Sequence, residues 1–171
     1  MSTSDPSHES GNRDENAALL RFTAHSFSAH CFDTIGYKVL YDNLYAVRRD
    51  DDEVSPPPRA DYLSYLSAST VGIQNFPPPA IVTWRSKDGT PHKATVDIGD
   101  IFKDQRILHH VPAKDIPKDA YVDDPGIILV VNDRTISVYM RATIPLKEPS
   151  IPGNKYSDFR DDLILAYSHT Y

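Results

Sequence analysis

"GIILVVNDRTISVYMRATIPL", residues 126–146, decides the fold class. Its first half is a continuous apolar run, and its second half sets Ile136, Val138, Met140, Ala142 and Ile144 against Ser137, Tyr139, Arg141 and Thr143. Successive side chains of an extended chain point to opposite faces, so this period of two predicts a strand with one face in a core. The apolar run predicts its partner strand. Asn132-Asp133 between them supplies turn chemistry, and the whole predicts a central hairpin over 127–144.

The same pattern recurs upstream. In "TWRSKDGTPHKATVDI", residues 83–98, Trp84 shares a face with Val82, a Lys-Asp-Gly turn follows, and Ala94 and Val96 alternate with Lys93 and Thr95. A second hairpin is expected there, with Asp97 capping a short helix that carries Ile98, Ile101 and Phe102 inward. "FTAHSFSAHCFDTIGYKVLYDNLYAV", residues 22–47, reads as two strands with a break near Asp33 or Gly36, and Ile35, Tyr37, Val39 and Tyr41 fall on one face. "RRDDDEVSPPPR", residues 48–59, stops the periodicity with a charge run and three prolines. After it, Tyr62, Leu63 and Leu66 stand at helical spacing. Ser157 is expected to begin a helical turn, and "LILAYSHTY" gives a last strand.

Strands joined by irregular loops, without long helical patterns, predict a mainly β or α+β fold: an antiparallel sheet or sandwich with a few short helices and long proline-containing loops. Composition agrees, since ten tyrosines against two methionines favour strands, and fourteen prolines against seven glycines favour stiff connections. Residues 1–17 are polar and aperiodic and read as a disordered tether, leaving 18–171 as a single β-rich domain.

The chemistry-bearing residues offer few motifs. A formal charge of −6 without a Lys/Arg cluster argues against nucleic acid and anionic lipid as direct ligands. One cysteine, Cys31, excludes an internal disulfide framework. No apolar run reaches the roughly 18 residues of a membrane span, and neither a phosphate-binding glycine loop nor a nucleophile elbow occurs. His25, His30 and Cys31, and the adjacent His109 and His110, match no strong metal-ligand spacing. Asp50, Asp51, Asp52 and Glu53, with Asp123 and Asp124, lack the alternating oxygen ligands of a calcium loop. No metal and no cofactor is expected.

The blocks 81–111, 127–145 and 154–171, "IVTWRSKDGTPHKATVDIGDIFKDQRILHHV", "IILVVNDRTISVYMRATIP" and "NKYSDFRDDLILAYSHTY", resemble immunity proteins paired with phospholipase effectors of bacterial type VI secretion systems. The resemblance spans about residues 80–171 and implies a periplasmic protein, often a lipoprotein, that binds a cognate lipase effector and covers its active-site entrance or lid. Any membrane attachment would run through an N-terminal lipid anchor that this chain does not contain. No contact residue is carried over from the family. Candidate partner-binding residues come from the residues themselves: Arg48, Arg49, Asp50, Asp51 and Asp52 in the charged loop, Trp84, Lys87 and Asp88 at the 83–98 hairpin, and Tyr139 and Arg141 on the polar face of the 127–144 hairpin. Trp84, alone in an alternating strand, is expected to act through folding. Two other readings stand beside this one: a small metal- or His/Cys-dependent enzyme using His30, Cys31, His109 or His110, and a periplasmic ligand-binding or structural lipoprotein without a toxin partner.

Overall fold

The computed structural model describes residues 19–171; the 1–17 segment lies outside them. Eleven strands are formed among the described residues: β1 (Ala24–Phe32), β2 (Thr34–Tyr41), β3 (Leu44–Arg48), β4 (Thr70–Gln74), β5 (Ala80–Ser86), β6 (Pro91–Val96), β7 (Gly126–Asn132), β8 (Thr135–Arg141), β9 (Ile144–Pro145), β10 (Phe159–Arg160) and β11 (Leu163–Thr170). Five of them form a sheet in the order β11-β8-β7-β1-β4 and four a second in the order β3-β2-β5-β6, while β9 and β10 pair by themselves. The inner faces of the two larger sheets share one core, in which Leu129, Val131, Ile136, Val138 and Met140 of the first join Tyr37, Val39, Val82, Trp84 and Val96 of the second. This is the β-rich sandwich that the alternation predicts.

Both expected hairpins are present. β7 and β8 pair antiparallel from Gly126↔Arg141 to Asn132↔Thr135, and all five inward residues of the 136–144 alternation are buried. The turn sits one residue later than expected, on Asp133-Arg134, where Asp133 takes a φ of 53°. β7 is buried on both faces because Ile128 and Val130 pack outward against Leu66, with Tyr62 and Ala68 beside them. That double cover is why its sequence is apolar at every position from Ile127 to Val131. Around the second hairpin Ala80 pairs with Val96 and Trp84 with His92. A one-turn helix, α1 (Ile98–Ile101), follows, and its cap Asp97 accepts from the Asp100 N–H as expected.

Several expectations are corrected. The five-stranded sheet is mixed, because β1 and β7 run parallel from Ser26↔Gly126 to Phe32↔Asn132, while the other two sheets are antiparallel as expected. A parallel pair needs a long crossover, and here the whole four-stranded sheet lies in it. The 22–47 stretch holds three strands, since Asp42 and Asn43, at φ of 54° and 60°, make a tight turn into β3. Ile35 does not share the buried face of Tyr37, Val39 and Tyr41, because the β2–β5 register shifts between Ile35 and Lys38 around Gly36. Thr34 is buried in its place. The 60–66 stretch forms a single 3-10 turn over Tyr62–Tyr65, with only Leu66 buried behind it. The turn near 157 runs over Lys155–Ser157 and is capped by Asn154, so Ser157 ends it. No helix among the described residues is long and apolar enough to cross a membrane.

One buried histidine links the fold to pH. His25 is fully buried, with Nδ1 2.6 Å from Asn75 Oδ1 and Nε2 2.8 Å from the Tyr41 hydroxyl. The Asn75 amide nitrogen donates to the Phe22 carbonyl, so its oxygen faces the ring. The neutral tautomer that follows donates from Nδ1 and accepts from Tyr41 at Nε2. Burial lowers the His25 pKa below its ordinary value, outweighing the Asn75 hydrogen bond that raises it. The unfolded chain therefore binds this proton more readily than the fold does. The stabilising contribution is complete above the unfolded pKa of about 6.5 and is lost as pH falls below it, by at most about 1.4 kcal/mol per pH unit. Urea midpoints are expected to be flat from about pH 8 to 7 and to decline through pH 6, and His25→Gln should remove that slope.

Candidate functional site

The charged stretch after β3 folds back along the start of β2. Arg49 N–H donates to the Tyr37 carbonyl and Gly36 N–H to the Glu53 carbonyl, each at 2.9 Å, and Ser55 N–H donates to the Thr34 carbonyl at 2.8 Å. Val54 bridges Ile35. The loop thus continues the ladder that β3 begins, which fixes its backbone. Side chains tie it down further. Lys38 pairs with Asp51 and Arg49 with Glu53, while Arg85 Nη2 donates to the Asp51 carbonyl at 3.0 Å and reaches Asp52 at 3.3 Å. The hydrogen bond and charge of Lys38 hold the Asp51 carboxyl below its usual pKa.

The outcome is a loop whose backbone is anchored and whose carboxylates project outward, with the Asp51 side chain 88% exposed and that of Asp52 fully so. Beside it runs a shallow groove of about 450 Å³, lined by Ile35, Lys38, Asp51, Thr83, Arg85 and Pro91 among others. Of the residues singled out from sequence, Arg48, Arg49, Asp50, Asp51 and Asp52 gather here.

The remaining candidates have duties within the fold. Trp84 is 3% exposed and donates Nε1–H to the Asp133 carbonyl at 2.8 Å. Asp88 accepts from the Ser86 hydroxyl and the Thr90 N–H and pairs with Arg134, and these contacts hold its carboxyl far below the usual range. Lys87 is exposed, but its N–H donates to Asp133 Oδ1. The two hairpin turns are thereby laced together at one end of the sandwich. Tyr139 is half-buried against the Leu66 cluster. Arg141 donates to the Asp161 carbonyl at 2.9 Å and the Leu63 carbonyl at 3.3 Å. Around Tyr139 and Arg141 the polar face of the β7–β8 hairpin is therefore covered by the 62–68 segment.

Ser86, His92 and Asp88 form a constellation that invites a catalytic reading and does not sustain one. Ser86 Oγ lies 2.9 Å from His92 Nε2 and 2.6 Å from Asp88 Oδ1. A nucleophile needs the carboxylate behind the imidazole, orienting its other nitrogen, and needs an open path to its oxygen. Here the carboxylate takes the serine proton directly, the imidazole stacks on Trp84, and Ser86 is fully buried. The trio holds a turn.

The His and Cys positions of the enzyme reading also lie apart in their bonding. His30 Nε2 meets the Ser67 carbonyl at 3.2 Å, Cys31 Sγ meets Ser55 Oγ at 3.0 Å, and His109 Nδ1 accepts from the Val111 N–H at 3.0 Å. Among the described residues no group of three His, Cys, Asp or Glu comes together as a metal site.

Sequence reasoning missed Lys38, Thr83 and Arg85. Their signal was the polar half of two alternations, Lys38 between Tyr37 and Val39 in β2 and Thr83 and Arg85 beside Val82 and Trp84 in β5, which puts them on the outer face beside the charged loop. Comparison of the chain with protein-family models, curated proteins and solved structures finds no match.

Proposed function

We propose that this chain is a periplasmic immunity protein that binds a phospholipase effector of a type VI secretion system and blocks its active-site entrance or lid. The observation that favours the reading is the anchored loop. Recognition costs less when the contacting segment is already ordered, and the backbone bonds of residues 49–55 hold that loop beside the groove. Inhibition by coverage also asks for no chemistry from the chain.

Mixing the protein with its cognate phospholipase effector, sought among the genes that adjoin its own, is expected to give a one-to-one complex in size-exclusion chromatography and a parallel fall in lipid hydrolysis. Two folded proteins that ignore each other would remove the proposal. Reversing the loop charges with Asp50→Lys and Asp52→Lys should slow association by about tenfold at low salt, with less effect at high salt, because rim charges act on encounter. The melting temperature should barely move, since both carboxylates are exposed.

A further inference from the structure

The two large sheets treat their outer faces differently. Around Ile128 and Val130 that of the five-stranded sheet is covered by Leu66, with Tyr62 and Ala68 beside it. On the four-stranded sheet the 49–54 loop lies along one corner, and Arg48, Tyr45, Ile81, Lys93 and Thr95 are exposed among the described residues. Register places the side chains of this second face in rows. One row crosses all four strands as Arg48, Lys38, Thr83 and Lys93. The next runs Tyr45, Leu40, Ile81 and Thr95.

The first row is costly for a free-standing sheet. Arg48 and Lys38 are direct cross-strand partners, and like charges facing one another destabilise a ladder. Lys38 pairs with Asp51, whose carboxyl also feels the charge of Arg48, whereas Arg48 and Lys93 themselves close no ion pair among the described residues. Arg48 lies instead over the Tyr45 ring, 5.0 Å from its centroid. In the second row Tyr45 is 51% and Ile81 38% exposed. A tyrosine-arginine pair beside aliphatic side chains is the composition of a protein contact surface. On a chain of net charge −6, a row carrying Arg48, Lys38 and Lys93, of which Arg48 and Lys93 close no ion pair among the described residues, is a local cationic strip that favours carboxylates.

We infer that the outer face of the four-stranded sheet, centred on Thr83 and Ile81, is the docking surface for an acidic protein partner. Carboxylates of the partner lie over Arg48 and Lys93, and an apolar contact covers Tyr45, Leu40 and Ile81. At the corner held by Asp50 and Asp52 the partner presents a cation. This deepens the proposed function by naming the face and the polarity of the lipase surface that fits it, and it rests on that reading for the partner's identity.

Two probes separate the inference from the reading beneath it. With the cognate phospholipase of the proposed function, Thr83→Arg should weaken binding at least tenfold by wedging the centre of the face. Arg48→Glu with Lys93→Glu should slow association about tenfold at low salt, while Lys147→Glu, outside the face, should change neither. A phospholipase that binds the Thr83→Arg protein as tightly as the unaltered chain overturns the docking face and leaves the immunity reading intact. If no phospholipase binds, that reading falls and the face is judged with a second probe, a polyglutamate peptide titrated into the full chain by NMR. Amide shifts centred on Lys38, Thr83 and Lys93 that vanish in the Arg48→Glu, Lys93→Glu protein support the face. Shifts centred elsewhere, or none, overturn it.

Discussion

Trp84→Ala is expected to lower stability by roughly 3–5 kcal/mol, the range for truncating a fully buried aromatic side chain. The indole is 3% exposed, stacks on His92 with centroids 4.9 Å apart and takes the edge of Tyr171 at 5.6 Å. Removal leaves a cavity where the two hairpins meet, and it strips the Asp133 carbonyl of the Nε1–H donor 2.8 Å away. Trp84→Phe separates these effects, because it keeps most of the packing and loses the donor, at a cost of about 1–3 kcal/mol. Trp84 is the only tryptophan, so unfolding must be followed by far-UV circular dichroism. A loss below about 1 kcal/mol for the alanine variant would contradict the core placement. A folded, stable Trp84→Ala that no longer bound its partner would instead make the indole a recognition residue.

The burial of Trp84 was legible because its strand has one face in a shared core. Val82, Trp84, Ala94 and Val96 are buried while Lys93 and Thr95 are exposed, so the period of two is written in the sequence. Where that condition fails, legibility fails too. β3 lies at a sheet edge with Leu44 and Tyr45 exposed, so apolar residues there mark no inner face. The parallel pairing of β1 with β7 leaves no local trace, since its partners are brought together only by the intervening sheet. The candidate site divides along the same line. A charge run beside three prolines announced a loop, but nothing near residues 48–53 indicates that Lys38 and Arg85 anchor it. For Tyr139 and Arg141 the alternation gave their side of the strand, and the cover supplied by residues 62–68 lies outside any local pattern.

Gly36→Ala is expected to cost more stability than Gly72→Ala, and the difference measures how firmly the charged loop is seated. Both glycines hold a left-handed backbone, at φ of 66° and 74°, so each alanine carries a similar conformational strain of about 1–2 kcal/mol. Their surroundings differ. A Cβ on Gly72 meets nothing within 4 Å, whereas one on Gly36 lands 2.7 Å from the backbone oxygen of Asp51 and 3.3 Å from its Cα. That oxygen belongs to the main chain and also accepts from Arg85, so it has no flexible side chain with which to give way. The loop must move, loosening the Gly36–Glu53 and Arg49–Tyr37 backbone bonds. Gly36→Ala should therefore lose roughly 1–3 kcal/mol and show faster amide exchange at Gly36, Arg49 and Ser55, while Gly72→Ala leaves those amides protected. Under the proposed function the displaced loop also slows encounter with the phospholipase, because its carboxylates no longer stand at the corner of the sheet face. Equal stability losses and unchanged loop exchange in the two variants would show that residues 49–55 are not seated on β2 in solution, and the argument for an ordered recognition loop would go with them.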